Sequence, residues 1–292
     1  MVLVTDKQYF FDPALKKKID LMIDRTSGKK QFDNLVLIDG NEGYGKSTNA
    51  IGLAYYVSYT TGRPFPRDTS HIFFDLDEMF KFAVNTKEQI MIWDEASAGG
   101  LSQEWWNKSQ LKLIKLLNIA RKKKHFYIFI ISKFYMLRPY IIDRAIGLIH
   151  VYARHETELG RFSYYKKKSK DFLYRSCRSK KFEYWKYITI KGAFVNCMSK
   201  RLSLVDVDIY DKRKDEFIAS LSKDDVKEEK LKDKSEAKRI KTLIGSLQLP
   251  IHTNKELMRQ LGITQNTFYD WKSNGKHKLN GASLLPTTSD EH

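Results

Sequence analysis

The chain has 292 residues, 42% of them hydrophobic and 13% aromatic, which suits a packed core and excludes a disordered protein. Its formal net charge of +17 makes a polyanion the expected partner; an anionic membrane surface would call for an amphipathic or lipidated anchor, and the sequence offers neither. Two cysteines without a metal-ligand spacing exclude a disulfide scaffold, and with no signal peptide and no long apolar run the expected home is the cytoplasm, that of a host cell if the protein is viral.

Taken in chain order, LVLID at 35–39 predicts a buried strand and 46–61 a helix carrying Ile51, Leu53, Ala54 and Val57. HIFF at 71–74 predicts a second short strand, followed by a helix from Asp77 to Val84, and IMIWD at 90–94 a third strand. The stretch 109–124 places leucine and isoleucine at helical spacing, before strands at 125–132 and 145–153. Short apolar strands alternating with helices predict an α/β fold, a three-layer core over residues 1–155 with a parallel sheet between helices.

The texture then changes. From Arg161 to Arg201 thirteen Lys/Arg face two acids, with ten aromatics between them, so 156–211 reads as a basic, β-rich extension of the core. Tyr184, Trp185, Lys186 and Tyr187 alternate as in a ribbon with one packed face. Residues 212–241 hold charges of both signs in near balance and read as a charged helical linker, 242–280 as a small helix-turn-helix module, and 281–292 as a loose tail.

The chemistry starts at the end of the first strand. Gly40, Asn41, Glu42, Gly43, Tyr44, Gly45, Lys46 and Ser47 satisfy G-x-x-x-x-G-K-[ST] between a strand and a helix. Glycines let backbone N–H groups turn inward around phosphates, and the following helix offers its positive end. Lys46 would reach the terminal phosphates of ATP, Ser47 would bind Mg2+, and Thr48 would lie near the α-phosphate. About fifty residues on, the third strand ends in Asp94 and Glu95. Asp94 would hold the Mg2+ through its water shell, and Glu95 would polarise the attacking water as general base.

On these two motifs residues 30–155 resemble the P-loop ATPases with an additional strand and a catalytic glutamate, a group spanning AAA+ proteins, RecA-like motors and FtsK/HerA-type DNA pumps. No lid domain is evident after residue 155, which favours the RecA and FtsK/HerA side, with viral packaging ATPases and Zot-like proteins. By the further likeness of 125–151 to clamp loaders, Ser132 would be a polar sensor, standing where asparagine is usual. Arg144 would be a finger reaching a neighbouring subunit's nucleotide, although Asp-Arg-Ala replaces the usual Ser-Arg-Cys; Arg121 and Arg138 compete for that role. A finger acting in trans implies a homo-oligomer, a ring or a filament.

Several surfaces suit DNA, duplex ahead of single-stranded. Lys108, Lys112, Lys115 and Lys122 fall along one side of the helix after Asp94, behind a loop holding Trp105 and Trp106. Lys166, Lys167 and Lys168 open the densest basic run, where cations would neutralise phosphates and rings would stack on bases. In the C-terminal module a recognition helix from Thr264 to Lys272 would present Gln265, Asn266, Thr267, Tyr269 and Lys272 to a groove. Together these features predict a Mg2+-dependent ATPase acting on DNA, an oligomeric translocase or packaging motor, with helicase activity next. Its rival is an ATP-switched DNA-binding adaptor that recruits other proteins without translocating.

Overall fold

In the computed structural model the described residues are 12–26, 33–94, 103–155, 158–199 and 203–220, with 259 and 264–266 beyond them. The chain divides into two compact units, Met1–Ser220 and Leu221–His292. Among the described residues, seven strands of the first unit form one sheet: β1 (Asn34–Gly40), β2 (Ile72–Phe73), β3 (Ile90–Asp94), β4 (Phe126–Ile130), β5 (Gly147–Arg154), β6 (Glu158–Lys166) and β7 (Ile190–Ala193). Their spatial order is β2-β3-β4-β1-β5-β6-β7, with parallel pairing from β2 to β5 and antiparallel pairing from β5 to β7. β4 is thus inserted between the strand that carries the phosphate loop and the strand that ends in Asp94.

β1 is buried along its whole length because β4 and β5 flank it and helices cover both faces. On one face Val36, Ile38, Ile92 and Ile128 pack with α1 (Pro13–Thr26) and α2 (Lys46–Thr61). On the other, Leu35, Leu37, Trp93 and Phe129 pack under α3 (Leu76–Asn85), α4 (Gln103–Ile119), α5 (Pro139–Arg144) and α6 (Lys167–Arg178). A further helix, α7, spans 207–220 and adds Tyr210 to the first core. The result is the three-layer α/β core expected from the sequence. No helix among the described residues is long and apolar enough to cross a membrane.

Local chemistry sets the helix ends. Asp12 accepts hydrogen bonds from the N–H groups of Ala14 and Leu15 at 2.9 and 3.0 Å, and Pro13 opens α1 where its missing N–H costs nothing. Asp75 caps α3 by accepting from Asp77 N–H at 2.9 Å. α2 ends at Gly62, whose left-handed backbone lets its N–H reach Ser58 O. α1 was not among the predicted elements: six charged residues dilute its stripe of Leu15, Ile19, Met22 and Ile23.

The basic segment takes a form the sequence pattern did not suggest. Among its described residues only 158–166 and 190–193 are strands; 167–178 is a helix, burying Lys170, Leu173 and Cys177 at helical spacing. Residues 184–187 are turn and bend, with Tyr184 directed inward and Trp185 71% exposed. The alternation that suggested a ribbon is a turn anchored by one ring. The buried Lys170 ammonium donates to the Ile142 carbonyl and to Asp171 at 2.8 Å, tying α6 to the end of α5. Burial lowers its pKa, which the Asp171 contact partly offsets.

Candidate active site

The loop between β1 and α2 turns where its glycines allow it. Gly40 has φ 142°, and a side chain there would meet the Val151 carbonyl oxygen at 2.2 Å, so the strand end can pass β5 only as glycine. Gly45 has φ 91° and forms the N-cap of α2, with no acidic residue in the helix's first turn to occupy its positive end. Asn41, Glu42 and Gly43 are exposed at the tip, while Tyr44 is half-buried against the core.

Lys46 is 8% exposed and folds over the loop, donating to the carbonyls of Gly40 and Asn41 at 2.8 and 3.0 Å. Ser47 donates to Asp94 Oδ2 at 2.7 Å, which brings the loop hydroxyl and the β3 carboxylate together. Asp94 itself is fully buried, and the same oxygen accepts from the Tyr210 hydroxyl at 2.7 Å. Burial and the adjoining Asp94 charge hold the Tyr210 phenol far above its ordinary pKa, so it acts as a donor throughout the physiological range.

The segment that leads to α7 runs beside the loop. Phe194 lies 3.3 Å from where a Gly45 side chain would begin, Cys197 Sγ donates to Thr48 O at 3.1 Å, and Thr48 Oγ1 donates to Met198 Sδ at 3.6 Å. Thr48 is thus engaged by this strap. Both cysteines are free and buried, and burial pushes the thiols of Cys177 and Cys197 up to about 11 and about 12, which keeps them inert.

Behind the loop, on the other face of the sheet, lies a second buried carboxylate. Asp39 immediately precedes Gly40, accepts from the Tyr184 hydroxyl at 3.0 Å and is bonded to His150 Nδ1 at 2.9 Å. The His150 and Tyr184 rings lie 4.0 Å apart.

Ser132 is half-buried just past β4, at the same edge as the loop, since Ile131 N–H bonds to Ile38 O at 2.9 Å. Arg144 is at the opposite edge. Its guanidinium donates to both Asp33 oxygens at 2.7 and 2.6 Å and to Leu117 O at 3.3 Å, ahead of the first residue of β1. Burial raises the Asp33 pKa and the Arg144 charge partly offsets that. A finger reaching into another subunit would have to give up this pair. Glu95, Trp105 and Trp106 lie outside the described residues or side chains, so the structure gives no position for the expected base.

Of the lysines expected to meet DNA, Lys112 pairs with Asp77 at 2.7 Å and Lys115 stands 6.0 Å from the Phe80 ring, so both are engaged with α3. Lys108 and Lys122 are exposed. Lys166, Lys167 and Lys168 are exposed at the edge opposite the loop, because β6 runs antiparallel and Lys166 pairs with Gly147, the first residue of β5. In the C-terminal module Gln265 and Asn266 are helical and exposed, while Thr267, Tyr269 and Lys272 lie outside the described residues.

The donor set of Ser47 and Asp94 is hard oxygen, which fits Mg2+ completed by phosphate and water. Among the described residues no three His, Cys, Asp or Glu gather as a metal cluster. A glycine turn after the central strand, a lysine over it, a hydroxyl on a strand-end carboxylate and an inserted strand between them are the arrangement expected from the G-x-x-x-x-G-K-[ST] motif. No protein-family model and no curated protein matches the sequence. Among solved structures the chain is similar to the genome packaging NTPase B204 of Sulfolobus turreted icosahedral virus 2, at 14% identity over 47% of this chain and 94% of that one, with a TM-score of 0.30. It is also similar to the N-terminal domain of zonular occludens toxin from Neisseria meningitidis, at 14% identity over 62% and 98% with a TM-score of 0.34. A third similarity is to Rhizobiales Trip13, at 15% identity over 48% and 60% with a TM-score of 0.31.

Proposed function

We propose that this protein is a Mg2+-dependent ATPase that acts on DNA, working as a homo-oligomeric translocase or packaging motor. The observation that carries the nucleotide part is the 2.7 Å bond between Ser47 and Asp94 beside the lysine-capped loop. A magnesium-bound triphosphate would supply an electrophilic phosphorus whose charge is already partly neutralised. Lys46 would swing from the loop carbonyls to the terminal phosphate oxygens by side-chain rotation alone. Ser47, with its proton directed at Asp94, keeps its lone pairs for the cation. Glu95 would orient and deprotonate the attacking water, and Ser132 would contact the terminal phosphate from the adjacent strand end.

The DNA part is supported by charge and exposed rings. The outer side of α6 and the turn after it expose Lys167, Lys168, Phe172, Arg175, Trp185 and Lys186. That face begins at the far edge of the sheet and ends beside Tyr184, whose hydroxyl bonds to Asp39 next to the loop. A polyanion lying along it would meet cations for its phosphates and flat rings for bases.

The test is ATP turnover with and without duplex and single-stranded DNA. Lys46→Ala should lose ATP binding, and Glu95→Gln should bind ATP and turn it over at least about 100-fold more slowly. Replacing Trp185 and Lys186 together by alanine should lower DNA affinity about tenfold, with a shallower salt dependence. If calorimetry detects no ATP uptake by the purified protein the whole reading falls; if neither form of DNA changes turnover, its DNA part falls.

A further inference from the structure

Asp94 has no exposure to water, and a buried carboxylate needs hydrogen-bond donors for its oxygens. Two hydroxyls meet Oδ2 from different directions, each at 2.7 Å. One belongs to Ser47 of the phosphate loop. The other belongs to Tyr210 of α7, 116 residues further along the chain.

α7 is itself fixed to the core by more than this bond. The Tyr210 ring packs 5.5 Å from Phe74, and Phe217 stacks on Phe74 at 6.2 Å. Arg213 donates to the Thr69 carbonyl and to Glu78, and Asp206 N–H donates to Arg67 O at 2.8 Å. The hydroxyl of Tyr210 is therefore delivered to Asp94 by a helix docked on the segment 67–78. After Ser220 the same helix hands the chain to the second unit.

We infer that Tyr210 is a positioning residue for the metal-binding carboxylate, and that α7 thereby responds to occupancy of the nucleotide site. Two hydrogen bonds on one oxygen fix the plane of the Asp94 carboxylate before any cation arrives, as the partners of metal ligands generally do. The coupling is reciprocal: whatever metal binding gains from an oriented Asp94, the docking of α7 gains from the bound metal. A tyrosine that merely filled space would pack on Phe74 equally well without its hydroxyl. The inference rests on the ATPase reading.

Tyr210→Phe keeps the ring and removes the donor, and Tyr210→Met is a second donor-free variant. In the full chain, binding of a fluorescent, non-hydrolysable ATP analogue is titrated with Mg2+, and hydrogen exchange of the 207–220 amides is followed with and without Mg2+ and analogue. The wild type should show slower exchange across α7 when loaded. Both variants should need about 10- to 100-fold more Mg2+ for half-saturation, should lose that slowing, and should bind analogue in EDTA as the wild type does. A half-saturating Mg2+ within twofold of wild type overturns the positioning role, whatever happens to the melting temperature. A shifted Mg2+ requirement with α7 protection intact overturns the response of the helix. A wild type that binds no analogue at all sinks the ATPase reading itself, which is a distinct result.

Discussion

Asp39 and Asp94 lie in the last two residues of two strands of the same sheet, on opposite faces, and each accepts a hydrogen bond from a tyrosine brought from the second half of the chain. What surrounds them differs. Asp94 shares its tyrosine-bonded oxygen with the phosphate-loop hydroxyl, whereas Asp39 is matched to His150 and enclosed by aromatic rings. Buried carboxylates with the same kind of donor thus differ in their second partner: under the proposed function one would share a cation with a phosphate, and the other braces the strand from which the loop departs.

The largest expected effect separates them directly. Asp94→Asn should lower ATP turnover about 100-fold, while Asp39→Asn should keep turnover within about tenfold of wild type and lose stability instead. Equal loss of turnover in steady-state assays would break the distinction. Gly40→Ala probes the residue between Asp39 and the loop; with the Val151 oxygen 2.2 Å from the new methyl, urea denaturation should show a loss of about 4 kcal/mol.

A pH series sharpens the comparison from the sheet's other edge. His125 is fully buried, accepts from Gln89 N–H at 3.1 Å and donates to Ala83 O at 2.9 Å, and burial lowers its pKa to about 4. The unfolded chain takes up this proton near its ordinary pKa of 6.5, the folded chain only near 4. The contribution is therefore complete above pH 6.5 and falls by about 3 kcal/mol as pH drops to 4. His125→Gln should flatten this part of the stability profile and leave both carboxylate clusters as they were. The smallest effect is that of Tyr184→Phe, which should cost about 1–2 kcal/mol by leaving Asp39 short of a donor without moving the Mg2+ requirement. A shifted Mg2+ requirement there would show that the two clusters act together.

The candidate site was legible where its chemistry is local. Gly40 to Ser47 form a contiguous turn, and Asp94 closes a strand whose apolar run is unmistakable, so spacing alone brought Ser47 and Asp94 together. Tyr210 and Tyr184 were not legible as partners, because each meets its aspartate across more than a hundred residues and tyrosine is common in this chain. α6 was hidden by its own lysines: one of them, Lys170, occupies a buried position that a pattern of apolar residues would not register. Arg144 was read as a finger from its likeness to a clamp-loader stretch, and local order along the chain does not reveal that Asp33 pairs with it at the start of β1.

Among the described residues the sheet ends in very short outer strands, two residues at β2 and four at β7, the latter with Lys191 and Gly192 in its span. Such brief margins give another polypeptide little backbone to zip onto, which guards against runaway stacking of one sheet on the next. Any contact between copies of this chain at these margins would accordingly rest on side chains rather than on a continued backbone ladder.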